Sequence, residues 1–306
     1  MVTSMLMTHC SNPKVLEELL QMLKLEKIEA NLYRGTSQDL GFGSVYGGQV
    51  IGQALSAASQ TVPAERCVHS LHAYFLLPGD VKLPILYDVD RIRDGRSFTT
   101  RRVRAIQNGR SIFSLSASFQ VEESGFDHQD SMPDVPGPEG LKSDLELSWE
   151  VRDRIPDHVR GQILCSRPIE LRPVDPFTPF ESLKRKPQHY YWLRAIDCLP
   201  DDPAVHRYML AYASDFSLSL TALLPHGRSV WEPEIQVASL DHALWFHGPF
   251  RMDEWLLYEM RSPRASGARG LNTGKIFSRN GQLVASVAQE GLMRDRGIRA
   301  STTNGT

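Results

Sequence analysis

The chain reads as an α+β protein built from one unit used twice, each unit a buried helix followed by antiparallel strands. Three observations carry that expectation. An apolar stretch over 49–62 sets Val50, Ile51, Ala54, Leu55, Ala58 and Val62 on one face and stops at Pro63, while the runs after it alternate apolar and polar residues. Short pairs then recur at a nearly constant interval. Ser70-Leu71 returns as Ser239-Leu240, Leu86-Tyr87 as Leu257-Tyr258 and Asn108-Gly109 as Asn280-Gly281, at offsets of 169, 171 and 172. Finally, a second apolar stretch over 215–224 precedes the second set, as the first stretch precedes the first. A twisted sheet can wrap an apolar helix, and two such sheets joined edge to edge leave fewer open edges than either alone. The expected division is 1–121 for the first unit with a leading helix, 122–188 for a connection, and 189–306 for the second unit.

In chain order, Asn12-Pro13 is a cap followed by proline at the first helical position, and Leu16, Leu19, Leu20 and Leu23 give that helix an apolar stripe. Residues 31–48 are turn-rich. The run 69–80 places Leu71, Ala73, Phe75 and Leu77 on one strand face and His72 and Tyr74 on the other; 85–93, 97–107 and 110–121 alternate likewise. Asn108-Gly109 marks a tight hairpin, since glycine accepts positive φ. Nine of the nineteen prolines fall between Pro133 and Pro187, so 122–188 reads as a long crossing connection with a helical portion over 145–159. Strand-like composition resumes over 190–196. Ser214 and Asp215 are helix-cap residue types, Phe216, Leu220, Leu223 and Leu224 share a helical face, and Pro225 and Gly227 are stop signals. Helix is therefore expected from Asp215, with a short strand as the rival reading.

Composition excludes several classes of function. A formal charge of −2 over 306 residues gives no electrostatic case for nucleic acid. No apolar run reaches the ~18 residues that span a bilayer, and MVTSMLMTHC is not a secretory leader. Cys10, Cys67, Cys165 and Cys198 are scattered without a CxxC pair, which argues against zinc and for a reducing compartment. The terminal STTNGT is no receptor-read targeting tripeptide. A cytoplasmic location is expected.

The two units differ in polar content. Gln289 falls on Ala117 at the offset of 172, and Asp215 has no acidic counterpart at Gly47-Gly48-Gln49, where the other buried helix begins. Packing alone gives no reason for an acid, a hydroxyl and an amide to gather in one copy. Asp215 as a simple helix cap is the bland alternative, and the asymmetry favours an active-site role.

FGSVYGGQVIGQAL, VHSLHAYFLLPGD, AYASDFSLSLTALLPHG, VASLDHALWFHGPF, ASGARGL and VAQEGLMR together resemble the signature blocks of type II acyl-CoA thioesterases, the double-hotdog hydrolases. The resemblance runs in order over 32–294. It implies two hotdog repeats, hydrolysis of fatty acyl-CoA to free acid and CoA, an acyl-CoA partner, and no metal or redox cofactor. It maps the family's catalytic residues onto Asp215, Ser239 and Gln289. A homodimer or larger homo-oligomer is expected.

Those residue types suit the chemistry. Asp215 would take a proton from water while Ser239 and Gln289 orient that water by hydrogen bonds. Burial raises a carboxylate's pKa and a helix N-terminus opposes the rise. Gly47 and Gly48 are candidate backbone donors to the oxyanion; a tight entry to the helix explains the same pair. Phe216 is expected to line the acyl site together with Leu220. Arg264 and Arg269, with Arg261, are candidates for the CoA phosphates, or are loop residues in water. His72 shares a strand face with Ser70 and is a substrate-binding candidate, although a strand histidine is more often structural. His242 stands three residues from Ser239, which on a regular strand puts it on the opposite face. No G-x-S-x-G elbow supports a serine nucleophile. The rival functions are a hotdog enoyl-CoA hydratase, faintly echoed by Asp202 and His206, and a non-catalytic acyl-CoA-binding protein.

Overall fold

The computed structural model describes residues 13–41, 43–176 and 183–297. The caps and tails expected at Asn12, at the start of the chain and at STTNGT lie outside them. Helix α1 (Pro13–Leu23) buries Leu16, Leu19, Met22 and Leu23. A hairpin of β1 (Glu26–Glu29) and β2 (Leu32–Gly35) follows, its second strand inside the run 31–48 that reads as turn-rich; four residues per strand are too few for alternation to show.

Helix α2 (Gly47–Ser59) is buried from Gly48 to Ala58. After it come β3 (Arg66–Phe75), β4 (Ile85–Asp94), β5 (Phe98–Gln107) and β6 (Arg110–Val121). The connection carries α3 (Asp144–Glu150), capped by a reciprocal Ser143–Glu146 box, and α4 (Asp157–Ile163). It also supplies β7 (Ile169–Pro173), a sheet strand that the proline content had hidden. The second half holds β8 (Gln188–Ala195), α5 (Pro203–Ala213), β9 (Ile235–Ser239), β10 (Asp241–Phe246), β11 (Leu256–Ser266), β12 (Arg269–Ser278) and β13 (Leu283–Asp295).

The strands form one antiparallel sheet in the order β1-β2-β4-β5-β6-β3-β10-β13-β12-β11-β8-β7, with β9 paired to β13 beyond β10. The halves meet where β3 pairs with β10, centred on His72 opposite Ala243. Both inner hairpins carry a register shift at matching places, between Ala105 and Ile106 and between Ile276 and Phe277. That match puts Gln289 on Ala117, as the spacing suggested. Leu71 opposes Ala117 and Val68 opposes Phe119, while in the second half the Ala243–Ala288 pair runs on to His242 beside Gln289 and Ser239 opposes Gly291, so the ladder sets His242 on Leu71 and Ser239 on Val68. The Ser70–Ser239 match at 169 is therefore two residues out of structural register.

The largest departure concerns the second buried helix. It is α5, ending at Ala213, and not a helix begun at Asp215. Asp202 caps it by accepting from the Ala204 N–H, with Pro203 next. The Asp202–His206 echo of a hydratase motif is thus a helix start, and the His206 ring accepts from the Met252 N–H at 3.0 Å. Beyond Ser214 the backbone turns left-handed at Ser217 (φ 60°) and continues as a 3₁₀ segment, Ser219–His226. The apolar spacing read as an α-helix belongs to that segment.

Helices α2 and α5 pack antiparallel at backbone distance. A Cβ on Gly48 would stand 2.2 Å from the Tyr212 carbonyl oxygen, and one on Gly52 would stand 3.2 Å from that of Tyr208. Glycine at 48 permits the close approach. The C-terminal end of α5 consequently lies against the N-terminal end of α2, and the residues just past Ala213 are delivered there.

Candidate active site

Asp215 is the residue so delivered. It sits at a helix N-terminus, but that of α2 from the other half, where the Gly48 N–H donates to its carboxylate. A Cβ on Gly47 would stand 2.7 Å from Asp215 Oδ2. The glycine pair therefore makes room for both a carboxylate and a neighbouring helix. Because the Gly48 N–H is committed to Asp215, it cannot also serve the oxyanion as expected; Gly47 remains on the wall of the cleft beside it.

Gln289 on β13 gives its amide nitrogen to Asp215 Oδ1 at 2.5 Å, with Ser239 Oγ and His242 Nδ1 each at 3.2 Å. Ser239, the last residue of β9, points its hydroxyl at the same carboxylate oxygen over a loose 3.5 Å. The three residues singled out from the sequence are thus brought together. Burial pushes the Asp215 carboxyl above its ordinary value, against the hydrogen bonds from Gln289, Gly48 and Ser239. Burial wins over the helix end. Asp215 and Ser239 line a cleft of about 1530 Å³, whereas Gln289 is fully buried behind them. The geometry directs the Gln289 amide at Asp215, a different task from the expected one of touching the water.

Sequence reasoning missed His242. Between β9 and β10 the chain breaks step at Leu240, whose N–H bonds the Glu290 carbonyl and whose carbonyl accepts from the Phe75 N–H. The regular alternation that would send His242 away from Ser239 therefore fails. The buried imidazole lies 2.9 Å from Ser214 Oγ on its Nε2 side. Ser219, on the 3₁₀ segment, was also missed; its hydroxyl donates to Gln289 Oε1 at 2.7 Å. A polar residue inside an apolar segment was the available signal.

Phe216 lines the cleft, stacked on Tyr46 with ring centroids 4.9 Å apart, and Leu220 lines it as well. Apolar residues of the connection, among them Leu147, Val151, Val159 and Ile163, face the same space. The remaining candidates lie away from the cleft. His72 is exposed and meets Trp245 edge-on, on the sheet face away from the buried Leu71 and Ala73. Arg264 and Arg269 flank the β11–β12 turn outside the cleft wall, and Arg269 is paired with Glu290 at 2.9 Å. Alternation puts His72 and Arg269 outward. The arginines of the cleft are Arg167, Arg185 and Arg296.

A doubled sheet with one buried helix per half defines a double-hotdog protein, here with a carboxylate held at the junction of the halves. The family described as "Acyl-CoA thioesterase" matches residues 159–292, and "Acyl-CoA thioesterase N-terminal domain" matches 36–120. The chain is 44% identical to Acyl-CoA thioesterase 2 of Haemophilus influenzae over 280 residues, which cover 92% of this chain and 98% of that one. It is similar to the crystal structure of an acyl-CoA thioesterase II from Mycobacterium marinum, with TM-score 0.74 and 42% identity over 90% of this chain and 98% of that one. A protein from Alicyclobacillus acidocaldarius described as having a hot dog fold aligns with TM-score 0.72 over 90% of this chain and 98% of its own, at 18% identity, a likeness of fold alone. The chain belongs to the acyl-CoA thioesterase family.

Proposed function

We propose that this chain hydrolyses fatty acyl-CoA thioesters to the free acid and CoA, with Asp215 as general base toward a water in the cleft. The observation that carries the proposal is the carboxylate of Asp215, raised in basicity by burial yet opening on a large cleft. A thioester carbonyl is electrophilic enough for water once the water is oriented and its proton has an acceptor. The loose 3.5 Å spacing between Ser239 Oγ and Asp215 Oδ1 leaves both oxygens able to share a third partner. Gln289, saturated behind them, holds the carboxylate in place. In the addition step water bonds to the carbonyl carbon, its proton passes to Asp215, and the carbonyl oxygen becomes an oxyanion. The Gly47 N–H at the first turn of α2 is the proposed donor to that oxyanion, in a position where a helix end favours negative charge. Collapse of the adduct breaks the C–S bond, and the proton returns to the CoA sulfur.

Phe216, Tyr46 and the apolar residues of the connection form the proposed surface for the acyl chain. A cytoplasmic location and a homo-oligomer belong to the same proposal, and fractionation and light scattering measure them. The direct test is release of free thiol from a saturated acyl-CoA series. Expected is saturable thiol release by the native chain and a loss of about 10²–10⁴ in kcat for Asp215→Asn, the range for removing a positioned base. Near-native turnover by Asp215→Asn sinks the assignment.

A further inference from the structure

The proton directions around Gln289 can be followed from the buried end outward. Ser214 Oγ donates to the Ala211 carbonyl at 3.0 Å, so its oxygen is left to accept from His242 Nε2 at 2.9 Å. Burial keeps the imidazole neutral, its pKa pushed down to about 3. With the proton on Nε2, the Nδ1 lone pair is bare and accepts from the Gln289 nitrogen at 3.2 Å. On the other side of the amide, Ser219 Oγ donates to Oε1 at 2.7 Å. The bare Nδ1 of His242 therefore demands one orientation of the amide, nitrogen toward Asp215, and in that orientation the Ser219 hydroxyl, able to donate or accept, donates to Oε1 and holds it. In the reverse orientation Oε1 would face Asp215 Oδ1 at the 2.5 Å now spanned by the nitrogen, a spacing tolerable only with a proton between the two oxygens.

We propose that Ser219 and His242 are positioning residues that lock the Gln289 amide with its nitrogen on Asp215, and so keep the base ionised for turnover. The inference rests on the hydrolytic reading of Asp215 given above. His242 is buried behind the cleft and Ser219 stands on its wall, but in this scheme each acts through Gln289, and a KM held within about twofold separates that role from substrate contact. A merely structural role would leave the ionisation of Asp215 alone, whereas loss of the lock favours the protonated carboxyl and moves its titration to higher pH. The other titratable groups facing Asp215 do not interfere in the acid range. Tyr46, ahead of α2, and Tyr258, on β11, are held well above the ordinary tyrosine range, mainly by burial, and burial keeps His242 neutral until the pH falls to about 3. From β3, β9 and β13 come Phe75, Ser239 and Gln289, which do not titrate.

The test is steady-state thiol release from one saturated acyl-CoA across the acid range, with thermal melting, for the full chain and for Ser219→Ala, Ser219→Thr, His242→Ala and Asp215→Asn. Expected for Ser219→Ala is a kcat lower by about tenfold, the worth of one neutral hydrogen bond, with KM within about twofold, a cooperative melt lowered only by the loss of that bond and an acid limb moved to higher pH. Ser219→Thr, which keeps the hydroxyl, should recover most of the rate. His242→Ala should move the limb the same way; if it fails to fold, Ser219→Ala and its threonine rescue carry the test. Inactive Asp215→Asn beside a native rate and limb in Ser219→Ala overturns the lock alone. A lower rate with an unmoved limb also overturns it. Native turnover in Asp215→Asn removes the base, and the lock with it.

Discussion

Asp215 combines two environments that pull its carboxyl in opposite directions, and the sign of the result is measurable in stability as well as in rate. Burial leaves the folded-state pKa above the unfolded value, so between those two values the native chain binds more protons than the unfolded chain. Native stability is then greatest below the unfolded value and declines as pH rises through the folded one. Asp215→Asn removes the ionising group, so the variant should melt higher than the native chain at neutral pH, and the gain should vanish on acidification. Melting curves for both across pH 3 to 8 check this; a variant that melts lower at neutral pH and gains on acidification contradicts it. Ser239 makes only a loose bond to the carboxylate, and Ser239→Ala should cost about tenfold in kcat, less than Asp215→Asn, in the same thiol-release measurement. At this scale the sequence was legible where residue type alone marks a role. Asp215 and Gln289 stood out as polar residues lacking from one repeat, and Ser239 joined them through the resemblance of its sequence block. Ser219 and His242 did not, because one lay in a segment read as apolar helix and the other is turned inward by an irregular step at Leu240.

Helix α2 is the element on which the site depends, and each of its ends has an identifiable constraint. At its start, an alanine Cβ at 48 would collide with a backbone carbonyl, which cannot swing aside as a side chain can. Gly48→Ala should cost about 2 kcal/mol of stability, within the usual range for overpacking, and should lower kcat further by moving the helix end off Asp215. Chemical denaturation and thiol release read the two effects separately. At the other end, Arg101 is 1% exposed and ties Thr61 to the sheet: it donates to Thr61 Oγ1 at 2.8 Å, to the Thr61 carbonyl at 3.0 Å and to Asp94 Oδ1 at 2.6 Å. Removing it strands buried acceptors, so Arg101→Met should cost about 3 kcal/mol, seen as a lower denaturation midpoint at unchanged KM. Helix α2 was legible because its stripe and Pro63 agree. The partner helix was misplaced by a dozen residues. Asp202-Pro203 is as good a start signal as any in the chain, but the apolar run after Asp215 has helical spacing too. Only the left-handed Ser217 separates the two segments, and a serine carries no sequence mark of positive φ.

Across the whole molecule, neither half completes the site. The second half supplies Asp215, Ser239 and Gln289, while the first supplies the helix end that receives the carboxylate, and β3–β10 pairing with α2–α5 packing holds them together. A chain cut near the fully exposed Phe126, between β6 and α3, should therefore stay associated and retain most of its thiol-release activity. Dissociation on a sizing column after the cut would contradict this. The doubled scaffold was visible in the repeated pairs of residues because the sheet imposes one period on both halves. The cleft was not, since its walls come from 75, 147, 216 and 239, positions that no periodicity relates. The central claim is that a single buried carboxylate at this junction activates the water. It is tested most directly by the pH dependence of kcat/KM for the native chain against Asp215→Asn. Expected is one acid limb in the native chain, with an apparent pKa above the ordinary 3.8 of aspartate, and no such limb in the residual rate of the variant. An acid limb that persists unchanged in Asp215→Asn would contradict the claim.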